Sequence, residues 1–214
     1  MTTLRAIERD IRAHRGCGFQ PCETATHPVP GEGDPKAAVM LVGEAPGARE
    51  DAEGRPFVGR AGRLLDELLA EAGLARNDVY ITNVLKHRPP GNRDPRKAEV
   101  AHELPWLEAQ VAAIDPSLIV TLGRHALDAL APGHKVTAEH GTVIEHDGWR
   151  LYPTFHPSAG LRAPVVRALL HEDFARLPSV LAGTWPRPLR ARASSRARSC
   201  RPRRPASASG RAAP

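Results

Sequence analysis

Two periodicities alternate along the chain. Leu4, Ile7 and Ile11 recur every three to four residues among charged neighbours and predict an amphipathic helix over 2–14. A Gly/Pro-rich stretch, 16–35, then breaks all periodicity. Ala37 to Val42 is an unbroken apolar run closed by Gly43, the pattern of a strand buried on both faces of a parallel sheet. Leu64, Leu65, Leu68, Leu69 and Ala72 follow a 3.6-residue repeat that Gly73 stops, which predicts a helix. Further strands are predicted at 79–84 and 118–122, separated by a proline-marked loop at 88–95 and a helix over about 97–113. Ala126, Leu127 and Leu130 mark a short helix. Extended pieces at 142–146 and 149–154 flank Asp147-Gly148 as in a hairpin, and a last helix is predicted over 164–181.

Strands that alternate with crossovers of a dozen or more residues argue for an α/β sandwich with a mainly parallel central sheet. Ligands of such sheets sit outside the carboxyl ends of the strands. That rule selects the segments after Val42, around Asn83, after Leu122 and after Thr154. Glu44 stands just past the first strand, either as a solvated turn residue or as a carboxylate that orients water or faces a developing cation. Phe57 is an isolated ring among small residues, fitting a core plug or a platform for a flat ligand. Asn83 ends a strand, where an amide serves as a cap or reads the edge of an amide-like ring. His156 falls in the same row, as a structural imidazole or a donor to an oxyanion.

Composition places these segments in one domain followed by a tail. The 214 residues are 41% hydrophobic and 25% charged, enough for a sizeable core without disulfide staples. The net charge of +6 points to a polyanionic partner, but its location narrows that reading. Nine of the 30 basic residues, all arginine, lie within 183–214, which holds no acid; residues 1–182 are left with 21 basic against 24 acidic side chains. The domain is therefore drawn at 1–182, and 183–214, rich in Arg, Pro, Ser and Ala, is expected to be disordered. No apolar run approaches the roughly 20 residues that cross a bilayer, and the N-terminus lacks the apolar stretch of a secretory signal. No membrane partner and a cytoplasmic location, in association with the nucleoid, are expected. Cys17, Cys22 and Cys200 make no paired framework, and the first two suggest metal more readily than a disulfide.

Five motifs in order carry a resemblance. They are Gly43-Glu44-Ala45-Pro46-Gly47; Gly-Arg-Pro-Phe-Val-Gly at 54–59; Tyr80-Ile81-Thr82-Asn83-Val84; Lys86-His87-Arg88-Pro89-Pro90-Gly91-Asn92-Arg93; and His156-Pro157-Ser158. Together, over about residues 14–182, the chain resembles the uracil-DNA glycosylase superfamily, closest to its family 4. The resemblance implies a three-layer α/β/α sandwich and a monomeric enzyme of base-excision repair that hydrolyses the N-glycosidic bond of uracil in DNA. It implies that Glu44 orients the attacking water and His156 donates to the uracil oxygen that gains charge. Asn83 would then bind the uracil edge, Phe57 stack on its face, Glu50 crowd the C5 carbon against thymine, and Ala45 line the pocket. Ser158, Leu161 and Arg162 match a loop that wedges into DNA, and Arg88 and Arg93 are expected at phosphates. Catalytically weakened DNA binding, or action on other deaminated bases, are the competing readings.

The hydrolysis needs no metal, yet the resemblance implies a [4Fe–4S] cluster on four cysteines, and here the pattern departs. The ligand positions offer Cys17 with Cys22 or His14, then His87, then Glu103 with His102 beside it. An intact cluster prefers thiolates, though histidine substitutes in some centres; Cys17, Cys22, His87 and His102 also suit zinc; and packing in place of any metal is the third reading. The X-type branch shares a histidine at the His87 position, but the short loop 90–97 lacks the histidine with which that branch traps DNA. Family 5 lacks the glutamate that corresponds to Glu44.

Overall fold

A computed structural model describes residues 3–15 and 17–183, so the tail expected over 183–214 lies outside the described residues beyond Gly183. The apolar runs form a six-stranded sheet: β1 (Glu32–Gly33), β2 (Val39–Gly43), β3 (Tyr80–Asn83), β4 (Leu118–Leu122), β5 (Ile144–His146) and β6 (Trp149–Thr154), in the order β1-β3-β2-β4-β6-β5. The four inner strands are parallel, and both edge strands pair antiparallel. Every residue of β2, β3 and β4 is buried. Alternation along β2 explains its unbroken apolar run: Val39 and Leu41 enter one core, Met40 and Val42 the other.

The first core lies beneath α4 (Arg60–Glu71) and α9 (Pro164–Ala182), with Leu64, Leu65, Leu68, Leu170 and Phe174 packed on the sheet. The second lies beneath α5 (Lys97–Ile114) and α6 (Arg124–Leu130), through Leu107, Val111, Ala126 and Leu127. On α5 rests α1 (Leu4–Ala13), whose Ile7 and Ile11 are buried and whose N-cap Thr3 accepts from the Ala6 N–H. This is the expected three-layer α/β/α sandwich with a mainly parallel sheet. At the hairpin, Asp147 and Gly148 have φ of 49° and 81°, as a two-residue turn with both centres left-handed requires.

Five elements escape the periodicity. The Gly/Pro-rich stretch holds α2 (Gln20–Thr24) and β1; α3 (Ala48–Glu53) and α8 (Pro157–Gly160) follow strand ends. A single turn, α7 (Val136–Glu139), precedes the hairpin. Helix α4 starts four residues before the expected Leu64, because its first turn, Arg60-Ala61-Gly62-Arg63, carries no apolar stripe. Among the described residues no helix is long and apolar enough to cross a membrane.

Candidate active site

Strand register levels the carboxyl ends of the parallel strands. Gly43 pairs with Asn83, Val42 with Thr121, and Leu122 with Thr154. A cleft of about 500 Å³ opens there, and Glu44, Ala45, Glu50, Phe57, Asn83, His156, Ser158, Arg93 and Arg162 all line it. Residues dispersed along the sequence thus meet at the crevice that an open α/β sheet provides.

Asn83 is buried, and its Oδ1 has no hydrogen-bond partner. An unsatisfied buried acceptor costs about 1–3 kcal/mol, so it marks a place where a ligand donor belongs. Gly43 makes room for it: a Cβ at that position would sit 2.4 Å from Asn83 Oδ1 and 2.6 Å from Phe57 Cζ. Behind the amide, the fully buried Lys86 donates to Thr82 Oγ1 (2.8 Å), the Asn83 carbonyl (2.6 Å) and Gln110 Oε1 (2.7 Å). Burial lowers the Lys86 pKa to about 7. Gln110 and Thr82 both continue to the Pro30 carbonyl, so the strand end rests on a connected polar network.

Phe57 adopts φ of +51°, a conformation that costs a bulky residue of order 1–3 kcal/mol. Two clamps hold it. Glu50 Oε1 accepts from the Val58 and Gly59 N–H groups (2.9 and 2.8 Å), and Arg76 donates to the Pro56 and Phe57 carbonyls while paired with Glu32 and Asp66. Gly62 lets α4 approach, since a Cβ there would lie 1.8 Å from the Phe57 oxygen. The result is a buried ring that faces the cleft and lies 5.8 Å from the His156 ring, tilted by 32°. The ring thus belongs both to the core and to the wall of the cleft.

His156 caps α8. The Ser158 N–H donates to its Nδ1 (3.1 Å), and the Ser158 hydroxyl lies 2.8 Å from the same nitrogen, leaving the ring proton on Nε2. Burial, reinforced by Arg162, lowers the His156 pKa to about 4, so a neutral imidazole presents an N–H. Gly123, with φ of +90°, admits the ring; a Cβ there would press on His156 Cβ at 2.8 Å. Glu44 is half-buried, and burial raises its pKa above the usual carboxylate value, against the pull of His125. His125 Nε2 lies 3.7 Å from Glu44 Oε2 and 3.3 Å from Asp94 Oδ2, which also pairs with Arg124 at 2.5 Å. The sequence reading missed His125, Asp94 and Lys86, because single polar residues leave no periodic trace.

The arginines expected at phosphates have partners within the protein. Arg93 forms a forked pair with Glu99 (2.9 and 2.5 Å), and Arg88 donates to Asn92 Oδ1 and faces Asp51 at 3.8 Å. Both brace the loop after β3 rather than project as free cations. Arg162 is exposed, and Leu161 is one of the two large apolar side chains exposed among the described residues. Leu161 borders a small groove with Arg60, Arg63 and Arg167, three exposed residues that the sequence reading did not single out.

The family model described as Uracil DNA glycosylase superfamily matches residues 30–175, a span that includes every element of the cleft. The chain belongs to the uracil DNA glycosylase superfamily. Within it, the chain is 46% identical over 161 residues to the type-4 uracil-DNA glycosylase of Thermotoga maritima, covering 73% of this chain and 84% of that one. It is 44% identical over 194 residues to the type-4 enzyme of Saccharolobus solfataricus (85% and 88% covered) and 41% over 189 residues to that of Sulfurisphaera tokodaii (83% and 84%). A second cluster of functional groups lies outside the cleft, at the positions where the resemblance implies an iron–sulfur cluster.

That cluster joins α1, α2 and α5. His14, Cys17, Cys22 and His102 bring one ligand atom each within 4.8 Å of one another, and Cys22, His87 and Glu103 form an overlapping set. His14 and His102 meet through their Nε2 atoms at 3.1 Å; Cys22 Sγ lies 3.6 Å from Glu103 Oε1 and 3.9 Å from His87 Nδ1, and Glu103 accepts from His87 at 2.8 Å. A [4Fe–4S] cluster takes four thiolates. Only two are present among the described residues, and the other positions hold a hydrogen-bonded imidazole–carboxylate pair, so these residues do not fit the cluster that the superfamily resemblance implies.

Proposed function

We propose that this chain hydrolyses the N-glycosidic bond of uracil in DNA, leaving an abasic site for base-excision repair, and that it acts as a cytoplasmic monomer on the nucleoid. The observation that carries this reading is the unpartnered Asn83 Oδ1, buried in a cleft also lined by Phe57, Glu44 and a neutral His156. Uracil supplies what that pocket lacks: an N3–H for Asn83 Oδ1, an adjacent carbonyl for the amide N–H, a flat face for Phe57, and a carbonyl for His156 Nε2–H. As the glycosidic bond lengthens, the sugar becomes cationic and the base anionic. Glu44 stabilises the first charge and orients water at the sugar carbon; His156 stabilises the second without transferring its proton. A neutral donor suits this role, since it need not lose a proton of its own at neutral pH.

Reaching the pocket requires the base to leave the stack, at a cost of a few kcal/mol that is smallest for single-stranded or mispaired uracil. Leu161 is the side chain available to fill the gap, with Arg162 and the arginines of the adjoining groove near phosphates. Glu50, fixed by the Val58 and Gly59 N–H groups, stands at the wall where a 5-methyl group would arrive. The presence of Glu44 and His156 argues against a purely DNA-binding role.

Single-turnover release of uracil from a single-stranded oligonucleotide tests the assignment. Glu44→Gln and Asn83→Ala should each slow it by about 10²-fold or more with an unchanged melting transition. Rates near that of the unsubstituted protein in both variants overturn the roles; binding without any abasic product in the unsubstituted protein restores the DNA-binding reading.

A further inference from the structure

We infer that His14, Cys17, Cys22 and His102 hold one zinc ion in a tetrahedral site, in place of an iron–sulfur cluster. The donor set is two thiols and two imidazoles, the composition that zinc takes in closed structural sites and that a four-iron cluster does not. Bonds of about 2.0–2.1 Å to nitrogen and 2.3 Å to sulfur place tetrahedral ligands roughly 3.3–3.8 Å apart. The His14–His102 nitrogen separation of 3.1 Å and the 4.8 Å limit on all separations in this set lie close to that scale. No carboxylate belongs to the four, so the two thiolates alone neutralise a divalent ion.

The surroundings supply the supporting contacts that such sites require. The Phe19 ring stacks on His102 at 4.3 Å and 19°, and Trp106 meets His14 edge-on at 6.0 Å, fixing both imidazole planes. Behind Cys22, the buried His87–Glu103 pair lies against the sulfur, and Glu103 also accepts from the Lys86 backbone N–H. The four ligands come from the end of α1, the segment after it, α2 and the second turn of α5, so one ion ties the N-terminal segment to the body. None of them lines the cleft, and the role is structural.

Metal analysis of the full-length protein, purified anaerobically and then titrated with zinc(II) or cobalt(II), decides the matter. The expected result is one equivalent bound per chain and, with cobalt, the ligand-field bands of a tetrahedral site with thiolate-to-metal charge transfer. Cys17→Ser and His102→Ala should each weaken binding at least 10-fold, whereas His87→Asn should keep the stoichiometry at one. Iron with inorganic sulfide in cluster proportion, no binding of either added metal, or loss of the site in a folded His87→Asn protein but not in His102→Ala overturns the inference. The metal content of the unsubstituted protein remains decisive if a variant fails to fold.

Discussion

Burial moves the two side chains proposed to face the developing charges away from their ordinary ionisation, in the directions that proposal needs. His156 is depressed to about 4 and stays neutral; Glu44 is raised, and in its proposed role it acts as the carboxylate. Falling pH therefore removes the Glu44 carboxylate before it charges His156. The single-turnover rate should fall along one acid limb that lies above the usual carboxylate pKa, and stay level between about pH 6 and 8, where an ordinary histidine near 6.5 would titrate. Glu44→Gln should flatten that limb. His125→Ala should move it to higher pH, because the His125 charge favours the Glu44 carboxylate; a limb that stays in place would remove His125 from the circuit. At this scale the sequence exposed the residues inside motifs, such as Glu44, Asn83 and His156. It hid His125 and Asp94, whose partners lie far away in the chain and are brought near only by the fold, and it hid the network of Lys86, which joins nearby Thr82 and Asn83 to Gln110.

At the level of elements, the end of β2 does the most to shape the cleft. It must finish in a residue without a side chain, because Asn83 and Phe57 converge on the space a Cβ would fill. Gly43→Ala should cost about 1–3 kcal/mol of stability through overpacking. Its larger effect should be on substrate: an increase of at least 10-fold in KM for uracil-containing DNA, as amide and ring are pushed from the pocket. A variant with unchanged KM would show that the strand end yields. The long apolar elements were legible because burial on one or both faces writes a period into the sequence. The short helices α2, α3 and α8 were not, because they are held by individual contacts such as the His156 cap, and the first turn of α4 packs through a glycine on the Phe57 backbone. The metal-ligand candidates were legible as residue types, but their grouping depends on α1 lying against α5.

For the molecule as a whole, charge and catalysis are separated. The sequence up to residue 182 carries more acid than base, and the arginines surplus to it follow residue 183. Removing residues 186–214 should weaken DNA affinity at least 10-fold at low salt and flatten its salt dependence, while single-turnover chemistry stays nearly constant. Equal affinity at low salt would reduce those arginines to bystanders. The strand order has a different consequence, for synthesis. β6, among the last elements made, is an interior strand between β4 and β5, and it delivers His156. While a ribosome is still extending the chain, the flank of β4 stays open and the cleft lacks one wall. A truncated product ending before β6 thus leaves an unpaired strand edge for quality control to find, and no half-built enzyme that could excise bases from DNA.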